Sequence, residues 1–255
     1  MTDRPRTVLF VDLDGTIIRG PFEGAVFPVL VGELAGATGL PPGELRQLVL
    51  QEYLGRQCDP HVPPVRAVDW DDIFATVAGR LGVRLQTSAL EIVRSCAGPP
   101  HAAILEGADA VLGQLSSAHR ALVVATRGLA RYQRPVLDAL GLTPLFADIL
   151  TPDTHQALKR SLAFYGPWPR LTALQISVGD QYEDDVLAPR SFGFRAVWKP
   201  EGAHPALGEL APCARPAAYP YAPDQPLRPD AIILSLAELP AVVERLEGEA
   251  FAAGA

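Results

Sequence analysis

Two aspartates, Asp12 and Asp14, stand two positions apart directly after the apolar run 7–11. Side chains alternate along an extended chain, so carboxylates at positions i and i+2 point the same way. Two like charges held close together are costly, and one of them takes up a proton unless a cation lies with them. The pair therefore predicts a cation site or a carboxyl group with a raised pKa. Gly15 permits a tight turn just beyond it.

A second group of acids follows the apolar run 174–178, in the stretch GDQYEDD at 179–185. Asp180 lies at the end of the predicted strand, and we interpret it as a metal ligand. Asp184 and Asp185 fall where a helix begins, and an acid at that place is also stabilised by the helix dipole. From the residues alone, either of these two aspartates can serve a metal site or simply begin the helix.

Thr126 and Lys159 are candidates for binding an anion. Thr126 follows the apolar run 121–125, where a hydroxyl and free backbone N–H groups can hold an anionic oxygen, although threonine here is also a common helix cap. The chain has two lysines, Lys159 and Lys199. A cation is needed to offset the carboxylate charge. We favour Lys159, which we expect on a helix over 153–165, because Lys199 follows the fifth strand and directly precedes a proline.

These residues require elements that bring them together. Short apolar runs predict buried strands at 7–11, 121–125, 146–150, 174–178, 195–198 and 231–234. Helical patterns alternate with them at 108–117, 129–140, 153–165, 184–192 and 236–246. This alternation predicts an α/β fold with a parallel sheet covered on both faces. In such a sheet, ligands bind beyond the carboxyl ends of the strands.

Residues 20–104 interrupt this alternation. They carry helical patterns at 43–54 and 69–81 and a capping box that begins at Ser88, with no convincing strand. Pro- and Gly-rich pieces separate these patterns. We therefore predict a helical insert after the first strand. We also predict an irregular surface connection over the Pro- and Ala-rich residues 199–229.

The composition excludes several classes of partner. The 255 residues carry 29 acids against 22 bases, a formal net charge of -7, whereas a binder of nucleic acid or anionic membrane needs a basic face. No apolar stretch approaches the roughly 20 residues that span a bilayer, and residues 1–6 show no signal-peptide core. We expect a cytoplasmic protein that binds neither nucleic acid nor membrane. The sequence leaves the oligomeric state open.

The order of these motifs resembles the haloacid-dehalogenase-like (HAD) superfamily. The likeness rests on DLDGT at 12–16, then Thr126, Lys159 and GDQYEDD at 179–185, and it covers the whole chain in order. The resemblance implies a Rossmann-like core over 1–19 and 105–255 with an inserted all-helical cap, of the C1 type, over 20–104. It also implies Mg²⁺ as cofactor and an aspartyl-phosphate intermediate.

The same resemblance assigns roles to individual residues. Asp12 would be the nucleophile, and Asp14 would be the general acid and base. The groups that bind the transferred phosphoryl group would be Thr126, Arg127 and Lys159.

The metal site implied by the resemblance uses acids from both motifs. The ligands of Mg²⁺ would be Asp12, the backbone carbonyl of Asp14, and Asp180, with Asp185 in support. The chain departs from the family pattern at Arg127, where the family often has asparagine or a small residue. It also departs at Asp184, where the family frequently has asparagine, and at Arg160, where the family lysine is often followed by proline.

The resemblance implies a Mg²⁺-dependent phosphatase acting on a small phosphorylated metabolite, with the insert closing over the site. The dehalogenase branch lacks an acid at the position of Asp14, and the phosphonate-cleaving branch uses a cap lysine, which this insert does not contain. A phosphomutase of the same superfamily and a non-catalytic member that binds a phosphorylated ligand stay open as alternatives. Four arginines can contact an anionic substrate, namely Arg19, Arg46, Arg56 and Arg66. Each is more simply explained as a solvated surface charge.

Overall fold

The computed structural model describes residues 5–202, 207–222 and 224–252. Its strands are β1 (Thr7–Val11), β2 (Ile18–Arg19), β3 (Ala103–Ile104), β4 (Arg120–Ala125), β5 (Asp148–Leu150), β6 (Leu174–Gly179), β7 (Arg195–Trp198) and β8 (Ala231–Ile232). Six of them form one parallel sheet in the order β5-β4-β1-β6-β7-β8. β2 and β3 pair separately as a short antiparallel ribbon.

β1 is an interior strand of the sheet: it pairs with β4 on one side and β6 on the other, and all five of its residues are buried. Val11, its last residue, lies opposite Val124 of β4 and Val178 of β6. Parallel strands in this register end side by side. The residues that follow β1, β4 and β6 therefore meet at one edge of the sheet.

The α-helices of the described residues are α1 (Phe27–Thr38), α2 (Pro42–Cys58), α3 (Pro64–Ala67), α4 (Trp70–Arg80), α5 (Ala89–Ser95), α6 (Ala108–Leu115), α7 (Ala130–Ala139), α8 (Pro152–His155), α9 (Trp168–Leu171), α10 (Ala188–Ser191), α11 (Arg215–Ala218) and α12 (Leu239–Ala252). The first five fall within residues 20–104, which we call the insert. The others follow the strands of the main sheet or connect them.

Both faces of the main sheet are covered. Leu9 and Val11 belong to one buried apolar cluster, whereas Val8 and Phe10 belong to another. Successive side chains of a strand point to opposite faces, so the two clusters lie on the two sides of the sheet. The predicted α/β class, a parallel sheet with helices on both faces, is confirmed.

The insert is helical, as predicted, with some differences at the ends of its elements. The predicted helices at 43–54 and 69–81 are α2 and α4, and the capping box of Ser88 with Glu91 is present at the start of α5. α1 was not predicted, because its glycines and proline lower its helix propensity. The prediction of no strand is wrong at β3, whose two residues are too few to give an alternating pattern. The limits of the cap at 20 and 104 stay a prediction.

The predicted helix over 153–165 is wrong. α8 ends after a single turn because Gln156 adopts a left-handed conformation with φ of 50°. The next helical segment is the 3-10 turn Leu162–Tyr165. Lys159 therefore lies in the connection between the two and not on a helix.

Three further predictions are corrected in detail. The predicted helix over 184–192 begins earlier, as a π-helical segment Tyr182–Leu187 that continues into α10. The predicted strands at 146–150 and 231–234 are shorter in the structure. Of these two stretches, only Asp148–Leu150 (β5) and Ala231–Ile232 (β8) pair in the sheet. The stretch 199–229 is irregular apart from α11 and isolated turns, and its residues 203–206 and 223 lie outside the described residues.

None of the described helices is long and apolar enough to cross a membrane alone. One pair, Phe22–Thr38 with Pro42–Cys58, meets the requirements of length and composition together, but its two halves are bent by 116°.

Tyr132 of α7 joins the sheet region to the insert. Its buried hydroxyl lies 2.8 Å from Asp69 Oδ1 and 3.0 Å from Asp71 Oδ2, and it accepts a hydrogen bond from the Asp71 N–H at 3.0 Å. Arg131 also pairs with Asp69. Both aspartates stand at the start of α4, so these bonds fix one end of that helix against α7.

Tyr132→Phe is expected to lower the free energy of unfolding by about 1–2 kcal/mol, because the hydroxyl bonds to charged groups are lost at a buried site. The matched control is Tyr165→Phe. Tyr165 is equally buried, but its hydroxyl has no hydrogen-bond partner among the residues that the structure describes. Urea unfolding of both variants checks the prediction, and an equal loss in the two would contradict it.

Candidate active site

Two neighbouring strand ends bring the predicted acids together. Asp12 follows β1, and Asp180 follows the neighbouring strand β6. Asp185 comes from the π-helical segment after β6. Carboxylate oxygens of these three residues lie within 4.8 Å of one another. Asp12 and Asp185 are buried and Asp180 is half-buried, so the charges are close together in a region of low water content.

Lys159 lies among these acids. Its Nζ is 2.8 Å from Asp12 Oδ1 and 2.5 Å from Asp185 Oδ1, and its side chain is buried. Burial works against the ammonium charge, but Asp12 and Asp185 outweigh it and raise the pKa of Lys159 above its ordinary value. The lysine is therefore cationic at neutral pH and crosslinks the first and last acidic motifs.

The structure separates Asp184 from Asp185. Asp185 Oδ2 accepts a hydrogen bond from the Gln181 N–H at 2.9 Å, and its other oxygen contacts Lys159. Asp184 faces away from this group, toward arginines: Arg160 Nε donates to its Oδ1 at 2.8 Å, and Arg127 Nη1 is 3.4 Å from its Oδ2. Asp185, and not Asp184, belongs to the acidic group.

The three departures from the family pattern contact one another. Asp184 is buried, and its neighbours are Arg127 and Arg160. A buried carboxylate is costly without a cation. The charge at Asp184 is therefore compensated by the two arginines, and the three unusual residues form a single ionic cluster beside the site.

Asp14 faces the cavity between the sheet and the insert. Its Oδ2 accepts a hydrogen bond from Gln133 Nε2 at 3.1 Å. The carboxyl group is open to the cavity but surrounded by protein, and this removal from bulk water raises its pKa to about 6, with Asp12 adding to the rise and Gln133 opposing it. A carboxyl group with this pKa can exist in both protonation states near neutral pH.

Two glycines allow the acids to approach the backbone. A Cβ on Gly20 would collide with Asp14 Oδ1, and a Cβ on Gly179 would collide with the carboxylate of Asp185. Asp185 is fully buried, with one oxygen hydrogen-bonded to the Gln181 N–H and the other in ionic contact with Lys159, so it has no room to move aside. Gly179 is therefore required for reasons of space, whereas a side chain at position 20 would displace the exposed carboxyl group of Asp14.

Thr126 and Arg127 border the same site. Thr126 follows β4 and is buried, and its Oγ1 accepts a hydrogen bond from the Gly128 N–H at 3.2 Å. Arg127 is partly exposed, and burial alone would lower its pKa, but the surrounding negative groups outweigh burial and raise the pKa. Both residues line a cavity of about 670 Å³ together with Asp12, Asp14 and Asp180. The two residues therefore lie where an anion beside the acids would be bound.

The acidic group carries more negative charge than Lys159 balances. Burial raises the pKa of Asp180, and the charge of Asp12 raises it further. Burial also raises the pKa of Asp185, although Lys159 opposes the change. Three neighbouring carboxylates, of which Asp12 and Asp185 pair with the one ammonium group, leave a site that favours a further cation.

Comparisons with known proteins identify the fold. A scan against protein-family models finds no match, and a search of curated proteins finds none. Among solved structures, a HAD phosphatase from Thermococcus onnurineus gives a TM-score of 0.69 at 23% identity, with 93% of this chain and 97% of that one covered. An L-2-haloacid dehalogenase from Xanthobacter autotrophicus, with chloropropionic acid covalently bound, gives a TM-score of 0.61 at 16% identity, with 94% of this chain and 98% of that one covered.

A third similar structure is a putative HAD-hydrolase from Bacillus subtilis bound to magnesium, with a TM-score of 0.59 at 17% identity over 94% of this chain and 99% of that one. This chain has the HAD fold. The resemblance inferred from the motifs is thus confirmed for the fold. The similar structures include both phosphatases and dehalogenases, so the fold alone does not choose between the two reactions.

The HAD fold places the other predicted arginines in different surroundings. Arg19 lines the cavity and is exposed. Arg46 pairs with Glu23 at 2.9 Å. Arg56 is buried and pairs with Asp72, as does the exposed Arg66. Arg56 and Arg66 therefore support the packing of the insert, and Arg19 is the predicted arginine of this set that borders the cavity.

Gln133 is the site residue that the sequence interpretation missed. It is buried on α7, next to Tyr132 and one turn before Val136 and Leu137, which are also buried. A polar residue on the buried face of a helix needs a partner. That pattern was readable in the sequence, but the identity of the partner, Asp14, depends on how the HAD fold brings α7 to the end of β1.

Proposed function

We propose that this protein is a Mg²⁺-dependent phosphatase that hydrolyses monophosphate esters of small metabolites through a covalent intermediate on Asp12. The observation that carries the proposal is the group of Asp12, Asp180 and Asp185, three carboxylates with oxygens within 4.8 Å of one another, the first and last of which pair with Lys159. Oxygen donors of this kind suit a hard divalent cation such as Mg²⁺. The magnesium bound to the similar Bacillus subtilis protein supports the same choice.

The residues fit such an ion, and Asp12, Asp180 and Asp185 would hold it. When bound, Mg²⁺ would neutralise charge on the substrate phosphate and so permit a carboxylate to approach phosphorus. Lys159 acts in the same direction from within the protein, because its ammonium group contacts Asp12. Thr126 and Arg127, which border the cavity, would bind the phosphate oxygens.

In the first half of the reaction, a carboxylate oxygen of Asp12 attacks phosphorus and the bond from phosphorus to the ester oxygen breaks. Asp14 in its protonated form gives its proton to the departing oxygen, which leaves as an alcohol. Gln133, bonded to the carboxyl group of Asp14, holds that group at the cavity.

In the second half, the ionised Asp14 takes a proton from a water molecule, whose oxygen attacks phosphorus. The bond from phosphorus to Asp12 breaks, which releases inorganic phosphate and restores both carboxyl groups to their starting states. A pKa of about 6 suits Asp14 to both proton transfers.

Asp14 and the acidic group favour phosphatase over dehalogenase chemistry. Displacement of halide from carbon produces a halide ion, which needs no proton donor. Expulsion of an alkoxide from a phosphate ester does need one, and Asp14 is at the cavity with a raised pKa. The acidic group also suits a divalent cation, which phosphoryl transfer uses to offset the charge of the phosphate.

Phosphate release from monophosphate esters, measured with and without Mg²⁺, tests the proposal. Release that depends on Mg²⁺ and stops with EDTA is expected. Asp180→Asn is expected to raise the Mg²⁺ concentration for half-maximal activity by about tenfold or more, because one charged ligand is lost. Asp109→Asn, which changes an exposed acid on α6, is the control and should leave the Mg²⁺ dependence unchanged. Activity that persists in EDTA, or no release from any ester, would contradict the proposal.

A further inference from the structure

We propose that the insert selects monophosphate esters whose alcohol carries an aromatic or other apolar group, in preference to esters that carry a second anionic group. The inference rests on the proposed function, because it concerns the leaving group of that reaction. It follows from the side of the cavity that faces the acidic group.

The insert contributes an apolar wall to the cavity. Its lining side chains, apart from Glu23, are Phe22, Phe27, Leu50, Tyr53, Val68 and Trp70. The cavity holds about 670 Å³, and pockets that bind small molecules commonly have this size. The acids Asp12 and Asp180 and Thr126 line the same cavity from the strand ends of the main sheet. A phosphate bound at the acids would therefore direct its alcohol toward the apolar wall.

The wall is built from rings that pack on one another. Tyr53 and Trp70 are stacked, with ring centroids 4.7 Å apart and an interplanar angle of 21°. Phe27 meets Trp70 edge to face at 5.2 Å, and Phe22 lies 5.8 Å from Trp70. Trp70, Tyr53 and Phe22 are only half-buried, so part of each ring remains available to a ligand. Rings that hold one another in place lose little freedom when an aromatic ligand packs against them.

The wall offers no cation within the described residues. Glu23 is its charged side chain, and Arg46, whose guanidinium pairs with Glu23 and lies 4.7 Å from the centroid of the Phe27 ring, is not among the lining residues. The cations that border the cavity, Arg19, Arg127 and Lys199, come from outside the insert, and the last two already have acidic neighbours. Lys199 lies 3.0 Å from Glu106, and Arg127 lies 3.4 Å from Asp184.

These surroundings act in opposite directions on the two kinds of leaving group. An apolar group gains free energy when it leaves water for the wall, roughly in proportion to the area that it buries. A carboxylate or second phosphate in the same place loses its hydration and finds a carboxylate in place of a cation. The surroundings therefore distinguish esters by the polarity of the alcohol.

Three esters with leaving alcohols of similar acidity test the inference: ethyl phosphate, 2-phenylethyl phosphate and the phosphate ester of 3-hydroxypropanoate. We expect kcat/KM for 2-phenylethyl phosphate to exceed that for ethyl phosphate by about tenfold or more, from burial of the ring. The carboxylate ester should be a poorer substrate than ethyl phosphate. Equal kcat/KM for the phenylethyl and ethyl esters would overturn the inference and leave the proposed function intact.

A pair of matched variants tests the wall directly. Leu50→Arg places a cation in the wall, whereas Leu54→Arg places the same charge four residues later on α2, at a position that is 59% exposed and does not line the cavity. Leu50→Arg should raise the ratio of kcat/KM for the carboxylate ester to that for the phenylethyl ester by about tenfold or more. Leu54→Arg should leave the ratio as it is in the wild type. An equal change in both variants would overturn the inference.

A binding measurement keeps the inference separate from the chemistry. If none of the three esters releases phosphate, the proposed function fails, and calorimetry with Mg²⁺ and each ester then decides whether the wall selects its ligand. Tighter binding of 2-phenylethyl phosphate than of ethyl phosphate supports the selection. Equal binding overturns it.

Discussion

Asp12→Asn is expected to lower kcat for phosphate release by about 10⁴-fold or more, as is typical when the nucleophile of a covalent mechanism is removed. An amide oxygen carries no full negative charge and forms no stable acyl phosphate. The substitution nearly preserves the volume of the side chain. Lys159 retains Asp185 as a partner at 2.5 Å, so the variant is expected to fold.

The kcat of Asp12→Asn is compared with that of the wild type in a steady-state assay with Mg²⁺, on a substrate that the wild type hydrolyses. Circular dichroism and thermal unfolding of the variant confirm that the fold is intact. Asp148→Asn is the control, since Asp148 belongs to β5 at the edge of the sheet and bonds Trp168. Its kcat should remain within a few-fold of the wild type. Turnover by Asp12→Asn within tenfold of the wild type would rule out attack by Asp12.

Lys159→Met is expected to have the second-largest effect, in both stability and activity. Without Mg²⁺ it should lower the free energy of unfolding by about 3–5 kcal/mol, because buried carboxylates lose their cation. It should also lower kcat/KM by about 10³-fold, because the site loses a fixed positive charge beside the attacking group. The lysine contacts Asp12 and Asp185 and is almost wholly buried.

Lys199→Met is the matched control for stability, because it removes the other lysine of the chain. Lys199 pairs with Glu106, whose side chain is 39% exposed, so we expect a loss of no more than about 1 kcal/mol. Mg²⁺ should restore part of the stability lost in Lys159→Met, since the ion also compensates the acids. Urea unfolding with and without Mg²⁺ measures both effects. Equal losses in the two lysine variants would contradict the role given to Lys159.

The strands of the sheet could be predicted from the sequence more accurately than the connecting segments that carry Lys159, Asp184 and Asp185. Apolar runs such as Thr7–Val11 have a single structural explanation, since a short run buried on both faces is a central strand of a parallel sheet. The position of Asp12, Thr126 and Asp180 at one edge follows from that topology. The site could therefore be located before any distance was known.

The environment of Lys159 could not be predicted from local pattern. The helical periodicity around it is broken by the left-handed conformation of Gln156, which a residue other than glycine rarely adopts. Tertiary contacts of Lys159 with Asp12 and Asp185 stabilise this connection, and no local signal reports them. The residue was identified by the charge that the acids require, while its secondary structure was predicted wrongly.

The choice between Asp184 and Asp185 also depended on tertiary structure. Adjacent residues in a helical segment point in different directions, so one aspartate faces the acids and the other faces Arg127 and Arg160. The residue at which the segment begins determines which of the two aspartates faces the acids. The π-helical turn at Tyr182–Leu187 has no clear sequence signal.

The stereochemistry at phosphorus tests the central claim most directly. The phosphoryl group of a substrate whose three non-bridging phosphate oxygens are different isotopes is transferred to an added alcohol, and the configuration of the product ester is determined. Attack by Asp12 followed by attack of water or alcohol inverts phosphorus twice, so the account predicts overall retention. Overall inversion would mean a single direct displacement, and it would contradict the covalent role of Asp12.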